Sequence, residues 1–260
     1  MAVKSMAETY RKVSTILVSQ PKPPAGTKSP YADLEKKYDL AVDFRPFMQI
    51  EPVLAKDFRK YRIRPDEFPC VIFTSKNAVD HFFRLCEEMR VKMSPETKYF
   101  CPTESIGNYL QKFIVFRKRK VFTGEKSLQD ITNAFKKHNK ENFLLPCNNH
   151  GVKALSDFLN ELGIAFQEAI MYLTVNADLE DLRHVKYDVL TFFSTLEIQS
   201  LFDNFPEFKQ DNTRIAVFGA ATEKAAQERG LQVDIVAPTP ETPSIQMALD
   251  KYLQLSNKTA

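Results

Sequence analysis

Hydroxyl and amide side chains follow several short apolar runs of the chain, and their chemistry suits an anionic ligand. Each group is predicted to lie where a parallel strand ends and a helix begins, which is where open α/β sheets bind ligands. Free backbone N–H groups at such helix ends attract anions. The groups are Thr74-Ser75-Lys76-Asn77, Cys101-Pro102-Thr103, Cys147-Asn148-Asn149, Ser194-Thr195 and Gly219-Ala220-Ala221-Thr222.

Ordinary helix capping is the simpler interpretation of any one of these groups, because Ser, Thr and Asn cap helices in most proteins. The occurrence of five such groups, expected to face one cleft from two domains, favours a polyanionic ligand instead.

Tyr172 is the one candidate acid among these segments. It lies in the extended segment Ala165–Thr174, from which it could project into the cleft. A phenol held close to a hydroxyl group can protonate it as it leaves. The alternative is that Ile170 and Tyr172 merely alternate on one face of a strand, and the residue pattern alone favours that alternative.

The sequence lacks the common motifs for binding metals and nucleotides. HExxH, GxSxG, the Walker loop and GxGxxG are absent, and the whole chain has only seven glycines. The histidines His81, His138, His150 and His184 lack metal-ligand spacing. His81 and Cys86 are interpreted as ordinary core or surface residues. We therefore predict no metal site and no dinucleotide.

The basic run Arg117-Lys118-Arg119-Lys120 has two interpretations. It could steer an anionic ligand or touch nucleic acid, or it could be a solvated turn between a helix and a strand. No RNA-binding motif accompanies it, so the turn is favoured and no nucleic-acid partner is predicted.

Composition is that of an intracellular globular protein. The 260 residues are 43% hydrophobic with a net charge of +3, which excludes disorder and does not by itself indicate nucleic-acid binding. The four cysteines form no CxxC pair, as expected of reduced thiols in the cytoplasm. The amino terminus lacks the apolar core of a signal peptide, and no run is long enough to span a membrane.

An internal repeat organises the chain. Cys70–Phe83 (CVIFTSKNAVDHFF) resembles Val189–Phe202 (VLTFFSTLEIQSLF) at an offset of 119 residues. At the same offset Tyr99–Glu104 lies over Phe218–Glu223, which pairs Thr103 with Thr222. A third match, Ser127-Leu128-Gln129 with Ser244-Ile245-Gln246, has an offset of 117. We predict two copies of one β-α arrangement.

The order of apolar runs predicts two domains, each a five-stranded parallel sheet with helices on both faces in the manner of flavodoxin. Residues 1–45 and 176–260 would form a discontinuous domain, and residues 53–170 an inserted one. The linkers 46–52 and 171–175 would form a two-stranded ladder.

Four local predictions accompany this scheme. Ser29 should cap a helix that has Pro30 at its first position and runs to about Tyr38. Val53–Tyr61 should be an amphipathic helix with Leu54, Phe58 and Tyr61 on one face. Longer helices are expected over Glu104–Phe113 and Ser127–Lys137.

Nearly the whole chain resembles the uroporphyrinogen-III synthase family. The matching segments are ILVSQPK, VIFTSKNAV, LLPCNN, MYLT, FFSTLEI, FGAATEKAAQERGL and APTPETPSIQMAL. The resemblance implies a monomeric, cofactor-free enzyme of haem biosynthesis that takes hydroxymethylbilane, a linear tetrapyrrole with eight carboxylates. The implied reaction removes water, inverts the terminal pyrrole ring and closes the macrocycle. The implied fold has two α/β domains with the site between them.

The resemblance also assigns roles to individual residues. Tyr172 matches a tyrosine that assists departure of the hydroxyl group, and the other matches are expected to bind substrate. They are Thr74, Ser75 and Asn77 at one strand end, Ser194 at a second, and Gly219 and Thr222 in a Gly-x-x-Thr turn.

The sequence departs from the family pattern at three places. FFSTLEI lacks the Pro-x-Gly that commonly follows the serine, and the other two departures lie in turns. Ala220 and Ala221 occupy the middle of one, and Phe100–Ser105 lacks the family's glycine, so that Thr103 and Ser105 compete for one place. The alternative function is that of a non-catalytic, two-lobed tetrapyrrole- or anion-binding protein on the same scaffold.

Overall fold

The computed structural model describes residues 11–257. Residues 1–10, part of the segment predicted to lack a signal peptide, and residues 258–260 lie outside that range. The strands are β1 (Thr15–Val18), β2 (Ala41–Phe44), β3 (Met48–Pro52), β4 (Cys70–Ile72), β5 (Lys98–Cys101), β6 (Val121–Thr123), β7 (Phe143–Cys147), β8 (Phe166–Ile170), β9 (Tyr172–Asn176), β10 (Val189–Phe192), β11 (Arg214–Phe218) and β12 (Val233–Ala237).

The α-helices are α1 (Ala32–Tyr38), α2 (Ala55–Phe58), α3 (Lys76–Met89), α4 (Glu104–Tyr109), α5 (Thr132–Lys137), α6 (Lys153–Glu161), α7 (Thr195–Asn204), α8 (Ala220–Glu228) and α9 (Ile245–Ser256). Short 3₁₀ helices cover Arg59–Tyr61, Pro65–Glu67, Leu110–Lys112, Lys118–Lys120, Leu128–Ile131 and Glu180–Leu182. Within residues 11–257, none of the helices has both the length and the apolar character needed to cross a bilayer.

The chain divides into two compact units. The inserted unit is Ile50–Thr174, and the discontinuous unit combines the residues up to Gln49 with those from Val175 onward. Strands β3 and β9, in which these boundaries fall, pair as a separate two-stranded sheet. This pairing is the ladder that was predicted for the linkers.

The inserted unit has a parallel sheet in the order β6-β5-β4-β7-β8. Residues alternate between its faces, so Val71 and Phe73 belong to one hydrophobic cluster with residues of α3, and Cys70 and Ile72 to another with Phe135 of α5. The predicted layers are confirmed. The order within the unit, 3-2-1-4-5 along the chain, differs from the 2-1-3-4-5 of flavodoxin, so the likeness to flavodoxin lies in the layers.

The discontinuous unit repeats the same arrangement, in the order β12-β11-β10-β1-β2. Strand β10 occupies the central place of β4, while β1 and β2 occupy the places of β7 and β8 although they come first in the chain. The repeat predicted from the sequence is confirmed, and one copy is circularly permuted relative to the other. Hydrophobic clusters again lie on both faces of the sheet.

One part of the predicted alignment is wrong. Thr103 is the N-cap of α4, whereas Thr222 lies in the first turn of α8, whose N-cap is Gly219. In the sheets, Cys70 lies opposite Lys98 and Val189 lies opposite Arg214, so the offset between the two copies has already fallen to 116 where β5 and β11 begin. Thr103 and Thr222 are therefore not equivalent.

Local predictions near the linkers also need correction. Helix α1 begins at Ala32, because the hydroxyl of Ser29 instead accepts a hydrogen bond from Tyr31 N (3.2 Å) in the preceding turn. The segment after Val53 forms only a short helix and a 3₁₀ turn; Phe58 is fully buried, but Leu54 and Tyr61 are 46% and 50% exposed.

Three longer elements are divided. The predicted strand over Ala165–Thr174 is two strands separated at Met171. The helices predicted over Glu104–Phe113 and Ser127–Lys137 each combine an α-helix with a 3₁₀ segment. The four cysteines are buried and unpaired.

Candidate functional site

The carboxyl end of β4 leads directly into the N-terminus of α3. Ser75 is the N-cap of this helix, with an extended backbone, and its hydroxyl accepts a hydrogen bond from Ala78 N (3.1 Å). Thr74 is half-buried, and Lys76 and Asn77 are exposed in the first turn. Capping and ligand binding are compatible here, because the exposed groups beside the cap remain accessible.

Tyr172 lies next to this helix end. Its side chain is only 7% exposed, and its ring stacks on that of His81, with the centroids 4.9 Å apart and the planes 17° apart. Burial raises the pKa of Tyr172, and a hydrogen bond with the Ser75 side chain partly opposes that rise. The phenol therefore keeps its proton at neutral pH and can act as an acid.

Arg84 and Glu88 of α3 form a polar stripe that binds two backbone segments, Val53–Ala55 and Met171 beside Tyr172. The guanidinium of Arg84 donates to the carbonyl oxygens of Val53 (2.8 Å) and Met171 (3.4 Å) and pairs with Glu88. Glu88 in turn accepts a hydrogen bond from Ala55 N (3.2 Å). Helix α3 thus holds the backbone from which Tyr172 projects.

His81 belongs to the same stripe and was missed as a site residue in the sequence. Burial lowers the pKa of its imidazole; Arg84 adds to that effect and Asp80 opposes it. Its Nδ1 is buried without a hydrogen-bond partner in the described part of the chain. The signal available in the sequence was the i, i+3, i+7 spacing of His81, Arg84 and Glu88, which places three polar residues on one helix face.

The loop after β7 binds Thr174 of β9 through both its hydroxyl and its backbone. The Asn148 amide donates to the Thr174 hydroxyl (3.0 Å), while Asn149 Oδ1 accepts from Thr174 N (2.8 Å). His150 Nε2 lies 2.9 Å from Thr174 O. Asn148, predicted to bind substrate, is therefore engaged in fixing the strand that carries Tyr172.

Thr103 occupies the corresponding place after β5. It is the N-cap of α4 and half-buried, but its side chain makes no capping hydrogen bond. In the inserted unit, the β4 turn, Thr103, Asn148 and Tyr172 all follow strand ends at one edge of the sheet, as parallel strands require.

In the discontinuous unit, Ser194 forms a complete capping box with Glu197. The Ser194 hydroxyl accepts from Glu197 N (3.3 Å), and Glu197 Oε2 accepts from the backbone of Ser194 (3.2 Å) and Phe193 (2.6 Å) and from the hydroxyl of Ser19 (2.7 Å). Burial raises the pKa of Glu197, and the hydrogen bonds that its carboxylate accepts partly offset that rise. Glu197 was overlooked, although Ser-x-x-Glu is readable in the sequence. Thr195, the first residue of α7, is exposed.

The turn after β11 depends on Gly219. Its φ of 94° is a conformation that favours glycine, and its N–H donates to Ala237 O (2.6 Å). Ala220 and Ala221 are exposed at the start of α8, but Thr222 is only 3% exposed. Thr222, which was predicted to contact the ligand, is instead buried beneath this turn.

The basic run forms a 3₁₀ turn before β6. Lys120 and Arg117 both pair with Glu96, at 2.6 and 3.4 Å. These contacts agree with the interpretation as a solvated turn. Across residues 11–257, no group of three His, Cys, Asp or Glu side chains is arranged to hold a metal ion.

Comparison with known proteins gives concordant matches. The profile of a family described as Uroporphyrinogen-III synthase HemD matches residues 29–246. A uroporphyrinogen-III synthase of Chlorobaculum parvum is 24% identical over 257 residues, covering 93% of this chain and all of that protein.

Solved structures share the fold. The uroporphyrinogen-III synthetase of Helicobacter pylori matches with a TM-score of 0.59 and 18% identity, over 93% of this chain and 99% of that one. A mutant uroporphyrinogen III synthase of Thermus thermophilus matches with a TM-score of 0.56 and 13% identity, over 95% of this chain and all of that one.

Proposed function

The chain belongs to the uroporphyrinogen-III synthase family, and from that membership we propose that its substrate is hydroxymethylbilane. The chain is an enzyme, a lyase of porphyrin biosynthesis. In the proposed reaction the terminal hydroxyl leaves as water, the last pyrrole ring is inverted and the macrocycle closes. The pyrroles supply the electron pair that expels the hydroxyl, so the reaction needs no cofactor.

Tyr172 is proposed as the acid that protonates the departing hydroxyl. The observation that carries this role is its buried phenol, stacked on His81 and hydrogen-bonded to Ser75. The phenol is protonated at neutral pH, and its position beside the departing hydroxyl, more than its acid strength, would let it donate the proton. Burial also limits the water that could trap the cation formed when the C–O bond breaks.

The strand-end residues are proposed to hold the substrate carboxylates. In the inserted unit these are Thr74, Lys76, Asn77 and Thr103, with Ser75 shared between the helix cap and Tyr172. In the discontinuous unit they are the first turns of α7 and α8, which carry Ser194, Thr195, Gly219, Ala220 and Ala221. Backbone N–H groups at helix ends bind anions, so the alanines do not remove this capacity.

Asn148 and Thr222 are proposed to support this site indirectly. Asn148 fixes Thr174, two residues beyond Tyr172, and Thr222 packs below the Gly219 turn. Orientation of a flexible substrate is therefore the main contribution of the protein.

We further propose that the enzyme is a cytoplasmic monomer whose two domains are the two compact units. Four buried thiols without disulfides support a reducing compartment.

The reaction itself is tested by giving the pure protein hydroxymethylbilane and resolving the oxidised products. We expect the type III isomer, formed faster than spontaneous cyclisation. Formation of only the type I isomer at the spontaneous rate would contradict the proposal and point to the non-catalytic binding protein.

The role of Tyr172 is tested by Tyr172→Phe, which removes only the hydroxyl. We expect kcat to fall about a hundredfold, the usual contribution of a general acid, with an unchanged circular dichroism spectrum. Tyr61→Phe is the matched control, because Tyr61 is half exposed, and it should keep full activity. A Tyr172→Phe enzyme of normal kcat would make Tyr172 a packing residue.

A further inference from the structure

The inserted unit has a cavity at the edge of the sheet opposite to Tyr172. Its volume is about 750 Å³, and it is lined by the C-terminal half of α3 and by the segments that precede β5 and β6. Amino ends of parallel strands share one edge, so the cavity and the strand-end residues described above lie at opposite edges of one sheet. A volume of this size suits a small molecule.

The floor of the cavity is aromatic and partly open to solvent. Phe83 and Phe113 stack with centroids 4.7 Å apart and planes within 4°. Phe113 is 39% exposed and its neighbour Val115 is 85% exposed, although both are apolar. Exposed apolar side chains gathered at a concave surface indicate a binding site.

The rim of the cavity is cationic. Five basic side chains line the cavity, whereas Glu87 is the one acidic residue in its lining. Two of the five are less accessible: Arg84 donates to the Val53 carbonyl, and the Lys120 side chain is only 16% exposed and pairs with Glu96. The remaining three, Lys92, Lys112 and Arg117, are exposed.

The three exposed cations differ in their partners. Arg117 lies 3.4 Å from Glu96, and the Lys112 ammonium lies over the ring of Tyr109 at 4.2 Å. Lys92 has no ion-pair partner among residues 11–257. These groups are therefore accessible to an anion that enters the cavity.

The discontinuous unit contains a cavity that serves for comparison. It lies by the loop between α7 and β11 and has about 840 Å³. Three basic and three acidic side chains line it, among them Lys186, Lys209, Asp188 and Glu207. The two cavities are similar in size, but of the two only the one in the inserted unit has an excess of positive charge.

We propose that the cavity between α3 and the segments before β5 and β6 is a second ligand site, which binds a small aromatic molecule carrying carboxylate or sulfonate groups. The aromatic body packs on Phe83 and Phe113. The anionic groups pair with Lys92, Arg117 and Lys112 at the rim. Occupancy of this site does not involve the strand ends around Tyr172.

The test uses two fluorescent probes with the same ring system and the full chain. The probe 8-anilinonaphthalene-1-sulfonate carries an anion, and N-phenyl-1-naphthylamine is its neutral counterpart. In the double variant Lys92→Ala/Arg117→Ala we expect affinity for the sulfonate to fall about fivefold, with affinity for the neutral probe unchanged. Raising the salt concentration should weaken only the sulfonate. Phe113→Ala should weaken both probes.

The matched control is Lys186→Ala/Lys209→Ala in the comparison cavity, which should leave sulfonate binding unchanged. Near-ultraviolet circular dichroism verifies that each variant is folded, since unfolded chains bind these probes nonspecifically. Equal sulfonate affinity in wild type and Lys92→Ala/Arg117→Ala would overturn the proposal. An equal loss for the neutral probe, or a similar loss in the control variant, would overturn it as well.

Discussion

Tyr172 is held on two sides, by the ring of His81 and by the hydroxyl of Ser75. A stacked ring restricts rotation of the phenol side chain, and the Ser75 hydroxyl lies close enough to the phenol oxygen to affect its pKa. The imidazole, whose pKa is lowered mainly by burial, is uncharged at neutral pH. We therefore expect His81 to position the Tyr172 ring by stacking against it, and not to transfer a proton.

This role of His81 distinguishes two substitutions. His81→Phe keeps a flat ring against Tyr172, so we expect kcat within about threefold of wild type. His81→Ala frees the phenol and should lower kcat about tenfold or more, because small displacements of a catalytic group are costly. Steady-state kinetics with hydroxymethylbilane measure both. Equal losses in the two variants would mean that the imidazole nitrogen itself takes part.

Glu141 provides a pH-dependent contribution to stability. It accepts hydrogen bonds from Lys98 (2.8 and 3.0 Å), His138 (2.8 Å) and the Cys70 thiol (3.3 Å). Burial acts to raise the pKa of Glu141, but these hydrogen bonds outweigh it and hold the pKa at about 2, below the ordinary 4.5. Its stabilisation is therefore complete above pH 4.5 and is lost as the pH falls towards 2.

Replacing Glu141 by Gln tests this dependence. At pH 7 we expect the free energy of unfolding to fall by about 1–2 kcal/mol, after allowance for partial exposure. The gap to wild type should narrow as the pH drops below 4.5, as measured by urea unfolding. The exposed Glu161→Gln serves as control and should stay within about 0.5 kcal/mol. A gap that is constant with pH would assign the loss to packing.

At the scale of elements, serine caps recur at equivalent places in the two units. Ser75 and Ser194 both begin the helix that follows the central strand, and both accept from the backbone N–H three residues later. Ser127 and Ser244 likewise precede the helical segments that follow β6 and β12. The repeat is therefore preserved in local capping geometry as well as in strand order.

Gly124 joins β6 to the turn that leads to Leu128, and it leaves no room for a side chain. A Cβ there would lie 2.0 Å from Ser127 O and 2.8 Å from Pro102 O, both backbone atoms. We expect Gly124→Ala to lower the free energy of unfolding by about 3 kcal/mol, measured in urea.

The control for Gly124 is Gly151→Ala. Gly151 has a positive φ of 73° but no neighbour within 4 Å, so it should lose only about 1 kcal/mol from backbone strain. If the two variants lost the same amount, the close contact at Gly124 would be relieved by local movement.

At the scale of the whole molecule, the two units differ in how the chain supplies them. Ile50–Thr174 is continuous and contains its complete sheet with a hydrophobic cluster on each face. The other unit takes β1 and β2 from one end of the chain and the strands β10, β11 and β12 from the other.

The continuous unit should therefore fold alone. We expect a fragment of residues 50–174 to unfold cooperatively in urea, followed by circular dichroism. A fragment beginning at residue 175 should not, because without β1 and β2 one side of β10 is unpaired. Cooperative unfolding of that second fragment would show that β1 and β2 are dispensable.

The sequence by itself determined most of the architecture. Two five-stranded parallel sheets were predicted from the order of short apolar runs, and the structure contains both. The repeat, the two-stranded ladder and the family followed from spacing and segment order. These properties can be predicted from the sequence because a parallel strand that is buried on both faces requires a continuous run of apolar residues.

Only the tertiary structure decided which contacts each candidate site residue makes. Asn148 and Thr222 were chosen for their polar side chains, but one binds Thr174 and the other is buried. His81 was dismissed, yet it stacks on a residue 91 positions later in the chain. A side chain's partner depends on strand register and helix rotation across distant segments, and no local pattern records these.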